Sequence, residues 1–242
     1  MMKNFNIPSI FVLILPFLLM SCAADFNSKI RGDGNTITRT RTTYRPFDKI
    51  SVAEGIQLHI KQDDEQKIKV QTDENLQEYI KTEIENRQLK IYVDETIKPT
   101  DSKTVWVSLP EIISIHASSG SYVQSESTLF SDDLKVKASS GATVKLSVNT
   151  QNLTAASSSG SAIELIGKTN LYQCNSSSGS TINSFDLTSK TTTAKVSSGA
   201  SIRVFATEQL HPIASSGGHI KYKGTPTIEN FKTSSGGRIS QP

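Results

Sequence analysis

Side chains able to do chemistry are few in this chain of 242 residues: two cysteines, four histidines and 23 carboxylates. His59, His116, His211 and His219 show none of the close spacings used by tetrahedral metal sites, and Cys174 has no partner beside it. A Gly-x-Ser-x-Gly elbow, a phosphate-cradling glycine loop and a dinucleotide fingerprint are all missing from the sequence. Glycoside cleavage would need two carboxylates facing one sugar at ~5–10 Å. The second half of the chain offers only Glu126, Asp132, Asp133, Glu164, Asp186, Glu208 and Glu229. Asp132 and Asp133 are adjacent, so an extended strand sends them to opposite faces. The others fall at unrelated distances from the nearest repeat glycine, and each reads as a solvated surface acid. The sequence therefore assigns no catalytic residue, no metal and no cofactor.

One residue does carry a specific chemistry. Lys3 is the only cation before an apolar run from Ile7 to Met20, and Leu19-Met20-Ser21-Cys22 follows. The run is shorter than the ~20 residues a spanning helix needs, and reads instead as an export signal. Its last four residues resemble the bacterial lipobox, which implies removal of residues 1–21 and acylation of Cys22 as a membrane anchor. Residues 22–30 would then be the lipidated cysteine and its tether. Cys174 would remain as a lone thiol, and its neighbours Leu171 and Tyr172 predict burial. The net charge is +3, from 26 basic and 23 acidic side chains, so neither a basic nucleic-acid binder nor a chain disordered by charge excess fits. A single apolar run also excludes a polytopic membrane protein.

What must position any binding residues is a repeat. Ser-Ser-Gly recurs with its glycine at Gly120, Gly141, Gly160, Gly179, Gly199, Gly217 and Gly236. A small residue follows each glycine, and a β-branched aliphatic stands three residues after it: Val123, Val144, Ile163, Ile182, Ile202, Ile220 and Ile239. Apolar and polar residues alternate on both sides of the corner, as in Leu134-Lys-Val136-Lys-Ala138 and Val144-Lys-Leu146-Ser-Val148, which is the period of a half-buried strand. Glycine supplies the positive φ of a sharp corner, and small hydroxyls can satisfy its amides. An antiparallel meander would not set equivalent residues side by side, whereas a coil with one copy per turn stacks them at ~4.8 Å. The expected fold is all-β: a single-stranded, right-handed parallel β-helix (β-solenoid) of 19–20 residues per turn, with seven repeats over 114–242.

Residues 31–113 lack these copies but alternate too, at Ile50–Val52, Ile56–Ile60, Ile68–Val70, Leu89–Val93 and Val105–Leu109. They read as a strand-rich first part of the coil or its cap. Asp73 is placed to cap one short helix from Asn75 to Lys81, with Leu76 and Ile80 on one face.

At this point the chain resembles the head GIN domain family of auto-transporter adhesins, a family of unknown function common in Bacteroidetes. The resemblance is carried by Arg31-Gly-Asp-Gly-Asn35, Phe47 to Ile60, Asp73-Glu-Asn-Leu76 and the seven Ser-Ser-Gly copies. It implies a β-helix-like fold and an envelope location, with the outer membrane as the site of the anchor. The tripeptide Arg31-Gly32-Asp33 is read as chance rather than as an integrin motif.

If the aliphatic after each corner points inward, the residue before it points outward. That gives a candidate contact column of Tyr122, Thr143, Ala162, Thr181, Ser201, His219 and Arg238. Trp106, the one Trp, lies in an alternating strand whose inner face the sequence does not identify. The expected role is a lipid-anchored, non-enzymatic binding module for a glycan or protein partner, with no nucleic-acid partner. Alternatives are a structural component that self-associates through its last turn near Ile239, and a carbohydrate-active enzyme.

Overall fold

The computed structural model describes residues 30–98 and 103–242. The repeat half forms long bent strands: β10 (Leu129–Ala138), β11 (Thr143–Ser157), β12 (Ala162–Ser176), β13 (Thr181–Val196) and β14 (Ser201–Ala214). Each pairs in parallel with the next, with Thr143 opposite Ala162, Ala162 opposite Thr181 and Thr181 opposite Ser201. The partners are 19, 19 and 20 residues apart, as a coil of one repeat per turn requires. A β-solenoid of about seven turns results.

Each turn has two legs. In β11 the buried positions are Val144, Leu146, Val148 and Thr150, then Leu153, Ala155 and Ser157. The inside positions change from even to odd between Thr150 and Leu153, so the chain turns there and the second leg again faces the core. The other corner is Ser-Ser-Gly. Ser159 has φ 51° and Gly160 φ 69°, and the Ser161 amide donates to Ser158 O at 3.2 Å, which makes a type I′ turn. All seven copies hold the middle serine at positive φ as well as the glycine, although the left-handed region costs an L-residue about 1–2 kcal/mol. Stacking offsets this cost: the Gly141 amide donates to Ser159 O and that of Gly160 to Ser178 O, each at 3.1 Å, so every corner is bonded to the next.

Which serine satisfies the bend is specific. Ser161 Oγ accepts from the Ser158 amide at 3.1 Å and is buried with Ser157 Oγ at 2.8 Å; Ser180, Ser177 and Ser176 repeat the arrangement one turn on. The hydroxyl after the glycine therefore serves the corner, while the serine just before the glycine is exposed.

The N-terminal part departs from simple coiling. Its strands are β1 (Thr36–Arg41), β2 (Lys49–Val52), β3 (Gln57–Gln62), β4 (Lys67–Asp73), β5 (Ile80–Glu85), β6 (Gln88–Val93), β7 (Lys103–Leu109), β8 (Ser114–Ala117) and β9 (Tyr122–Ser125). β2 and β3 form one turn, lying between a turn made of β6 and β7 and the next made of β8 and β9. A turn made early in the chain is thus enclosed by two made later. Beyond β6 and β7 the pairing becomes antiparallel: β5 on β6, β4 on β7 and β1 on β4 close that end of the stack. The helix expected at Asn75–Lys81 is a single 3₁₀ turn, Glu74–Leu76, because Ile80 already begins β5. Asp73 does not cap it with its side chain; the carboxylate accepts from the Gly34 amide and the Thr36 hydroxyl, each at 3.2 Å.

Leu58, Val105, Val123, Val144, Ile163, Ile182, Ile202 and Ile220 are all fully or almost fully buried, forming one aliphatic ladder that continues from the cap into the repeats. The last turn is thinner: β15 (His219–Lys223), β16 (Thr227–Ile228), β17 (Lys232–Thr233) and β18 (Arg238–Ser240) are short, and Ile228 and Phe231 are exposed.

Candidate functional site on the first leg

The corner that begins each turn fixes the outward column. With the aliphatic three residues after the glycine buried, the residue before it must face out, and the register aligns Tyr122, Thr143, Ala162, Thr181, Ser201, His219 and Arg238 in one row. The row is not uniform. Tyr122, Thr143, Ala162 and Ser201 are half-buried by neighbours, while Thr181, His219 and Arg238 are exposed. Its middle offers hydroxyls without charge; the row's guanidinium, Arg238, stands at the last turn.

The row extends past the repeats, where the sequence reading did not follow it. Gln57 pairs with Tyr122 and Thr104 with Gln57. Ala53-Glu54-Gly55-Ile56 is an eighth corner, with Glu54 at φ 62° and Gly55 at φ 69°, and the Gly55 amide donates to Ser119 O at 3.0 Å. It lacks Ser-Ser-Gly, yet Leu58 stands three residues after Gly55, and that spacing is the signal by which it could have been found.

Two residues further from each corner runs a second outward row, and its N-terminal end is aromatic. Trp106 pairs with His59 and His59 with Gln124. Trp106 therefore faces solvent rather than core, on the same face as Tyr122. The His59 and Trp106 rings stack with centroids 5.4 Å apart and planes at 24°. Tyr122 Oη donates to Gln124 Oε1 at 3.0 Å, and Gln124 Nε2 lies 3.2 Å from His59 Nδ1. Glu126 adds a carboxylate 3.6 Å from the same nitrogen. One connected unit thus runs from the contact column to the Trp. It borders a groove of about 390 Å³ flanked by Lys61, Lys69 and Asp63. A planar apolar surface ringed by hydrogen-bonding groups is the arrangement that holds a ligand with one apolar face and a polar rim, such as a pyranose.

Several carboxylates have separate partners, while Asp63 and Glu126 border the first-leg groove and Glu111, Asp132 and Asp133 line another. Glu164 pairs with Lys145 on the preceding turn at 3.2 Å, Glu229 lies 3.8 Å from His211, and Asp133 accepts from Asn152 Nδ2 at 2.9 Å. Asp132 and Asp133 are both exposed, where β10 bends, rather than on opposite faces. Among the described residues no three His, Cys, Asp or Glu side chains gather as metal ligands would. Cys174 is buried and free, and burial pushes its thiol well above the ordinary thiol range, leaving no nucleophilic thiolate at neutral pH. Of the neighbours that predicted this, Tyr172 is buried and hydrogen-bonded to Ser184 Oγ at 2.7 Å, whereas Leu171 is 50% exposed because it starts the second leg on the outward side. Cys22 and the leader lie outside the described residues. No helix among the described residues is long and apolar enough to cross a membrane.

Known structures share this architecture. A "putative adhesin" from Bacteroides fragilis is 20% identical, with a TM-score of 0.83 over 88% of this chain and all of that one. A "putative lipid binding protein" from Parabacteroides distasonis is 23% identical, with a TM-score of 0.73 over 88% of this chain and 99% of its own. A "putative adhesin" from Parabacteroides merdae is 20% identical, with a TM-score of 0.72 over the same shares. At these identities the likeness is one of fold. No protein of curated function matches the sequence. The family described as "Putative auto-transporter adhesin, head GIN domain" matches residues 46–226, three quarters of the chain, spanning the early turns, the aromatic unit and six of the seven Ser-Ser-Gly corners. The chain belongs to the head GIN domain family.

Proposed function

We propose that this protein is a non-enzymatic, adhesin-like binding module of the cell envelope, anchored to the outer membrane through Cys22, and that its first-leg face holds glycan. The observation that carries the reading is the outward Trp106–His59 stack joined through Gln124 to Tyr122 at the head of the hydroxyl column. The stacked pair is half-buried on the outer face, and a sugar ring would cover the part that stays open. The adhesin family supports a binding role, and the lipobox supports the anchor.

A glycan-array screen of the purified protein, with products assayed on every hit, tests this. Binding without turnover that is lost in Trp106→Ala is the expected result. Turnover of any bound glycan would overturn the non-enzymatic reading, and retention unchanged in Trp106→Ala would remove the face. Anchoring is tested separately by acyl labelling in cells, expected for the native chain and absent in Cys22→Ala. A second reading, assembly through the last turn, is favoured by the outer edge of β18, which pairs only with β15, and by Phe231, 53% exposed just before β17. Concentration-dependent sedimentation abolished by Phe231→Ser would support it.

A further inference from the structure

The second leg presents a different surface on the opposite side of each turn. Its outward residues from β8 to β14 include His116, Lys135, Lys137, Lys195 and His211, and the segments 114–119, 134–140, 152–159, 171–178, 191–198 and 209–216 contain no Asp or Glu, the nearest second-leg carboxylate being Glu229 of the last turn, 3.8 Å from His211. Lys135, Lys137 and Lys195 take part in no ion pair among the described residues, whereas Lys61, Lys67, Lys81, Lys90, Lys145 and Lys190 each meet a carboxylate. Unpaired lysines also stand elsewhere, Lys69, Lys168, Lys221 and Lys223 among them; what sets Lys135, Lys137 and Lys195 apart is that the second-leg segments carrying them hold no carboxylate.

The face is also recessed. His116, Lys137, Ala156, Asn175, Lys195, Ile213 and Lys232 follow one another in register, one per turn. Between Lys137 and Lys195 the side chains are the short Ala156 and Asn175, so the long cations stand as walls about 14 Å apart, three strand spacings, above a floor of small residues. The floor continues into the corner serines, and the groove encloses about 420 Å³. His116, beside Lys137, is held below the ordinary imidazole range, mainly by its burial and then by that lysine, so at neutral pH it serves as a neutral hydrogen-bonding partner rather than a third charge.

We infer that this groove binds a linear anionic polysaccharide, whose acidic groups meet Lys137 and Lys195 while its sugar hydroxyls meet the Asn175 amide and the corner serines. The site is separate from the first-leg face and does not depend on it. A flat anionic bilayer would reach the lysine tips but leave the floor empty. Duplex DNA carries a charge every ~1.7 Å of its axis, a density that lysines spaced by three turns do not match.

The test uses the full chain, measuring affinity for heparin, polygalacturonate and neutral dextran from 50 to 500 mM NaCl, with phosphatidylglycerol vesicles and duplex DNA as competitors. Expected is binding to heparin or polygalacturonate but not to dextran, weakened at least tenfold in Lys137→Gln/Lys195→Gln with a shallower salt dependence, and unchanged in Lys168→Gln, an exposed lysine outside both grooves. Preference between the two polymers separates sulfate from carboxylate as the recognised group. Polyanion binding unaffected by the double substitution, no binding at all, or tighter binding to vesicles or DNA would each overturn the inference. Because these substitutions exchange exposed side chains for neutral ones of similar length, circular dichroism and the melting midpoint are expected to stay as in the native protein.

Discussion

Gly160 and Gly167 lie in the same turn of the coil and have positive φ for different reasons, so alanine at each should report a different physical cost. At Gly160, φ is 69° and an added Cβ would meet nothing within 4 Å. Only the left-handed backbone is penalised, about 1–2 kcal/mol. At Gly167, φ is 115° and the Cβ would stand 2.1 Å from the carbonyl oxygen of Val148, its partner in the ladder. That backbone region costs an L-residue about 1–3 kcal/mol, and separating two packed strands costs about 1–3 kcal/mol more, so about 4 kcal/mol in all. Urea unfolding followed by circular dichroism reads the difference. With m near ~3 kcal/mol/M, the Gly160→Ala midpoint should fall by ~0.3–0.7 M and that of Gly167→Ala by ~1.3 M, at unchanged m. Amide exchange should accelerate around Val148 and Gly167 only in the second variant. Equal midpoint shifts, or a larger one for Gly160→Ala, would refute the claim that close strand approach rather than corner geometry demands the second glycine.

Alkaline stability should report the two buried acids of β12. Burial raises the Cys174 thiol and the Tyr172 phenol, so both stay neutral in the folded protein at a pH where the unfolded chain ionises them. The stability they contribute is complete below the unfolded values and is lost as pH rises: ~1.4 kcal/mol per unit above about pH 8.5 from Cys174, and a further ~1.4 above about pH 10 from Tyr172. Midpoints measured against pH should show both breaks, and Cys174→Ala should remove only the first. Arg87→Ala should cost about 2–3 kcal/mol, since Arg87 donates to the Asp48 carboxylate through Nε at 2.8 Å and Nη2 at 2.7 Å, and Asp48 is left buried without them. Thermal melts of Arg87→Ala and Arg87→Lys check it, the lysine recovering only part because it cannot donate in a fork. For any glycan retained on the first-leg face, Trp106→Ala should weaken affinity by about tenfold or more, the scale of one aromatic contact, while Thr181→Ala shifts it less than threefold; surface plasmon resonance distinguishes them.

Much of this was legible because a parallel coil copies its register into the sequence. Equivalent residues stack on one another, so spacing alone gave the corners, the inward aliphatic ladder from Val123 to Ile239 and the outward row from Tyr122 to Arg238. What spacing could not give is anything decided by contacts between different parts of the chain. The corner of Glu54 and Gly55 was hidden because it shares the backbone geometry of Ser-Ser-Gly without its residues. The helix proposed after Asp73 yielded to β5, whose pairing with β6 satisfies more backbone than a lone helical turn could. Leu171 was a guide to the burial of Cys174 because it is apolar, but its parity within the second leg sets it outside while Cys174 is buried.

Two decisions belonged to the tertiary structure alone. The turn formed by β2 and β3 lies between turns made later in the chain, because only there can both its edges be paired. That placement puts Trp106 and His59 side by side although they are 47 residues apart, and sets both against Gln124 and Tyr122. The unpaired lysines of the second leg are likewise brought to one face only by coiling. Local pattern fixes which side of a strand a residue occupies, since side chains alternate along it; which strands become neighbours depends on where backbone edges and apolar faces can both be covered, and that is a property of the whole stack.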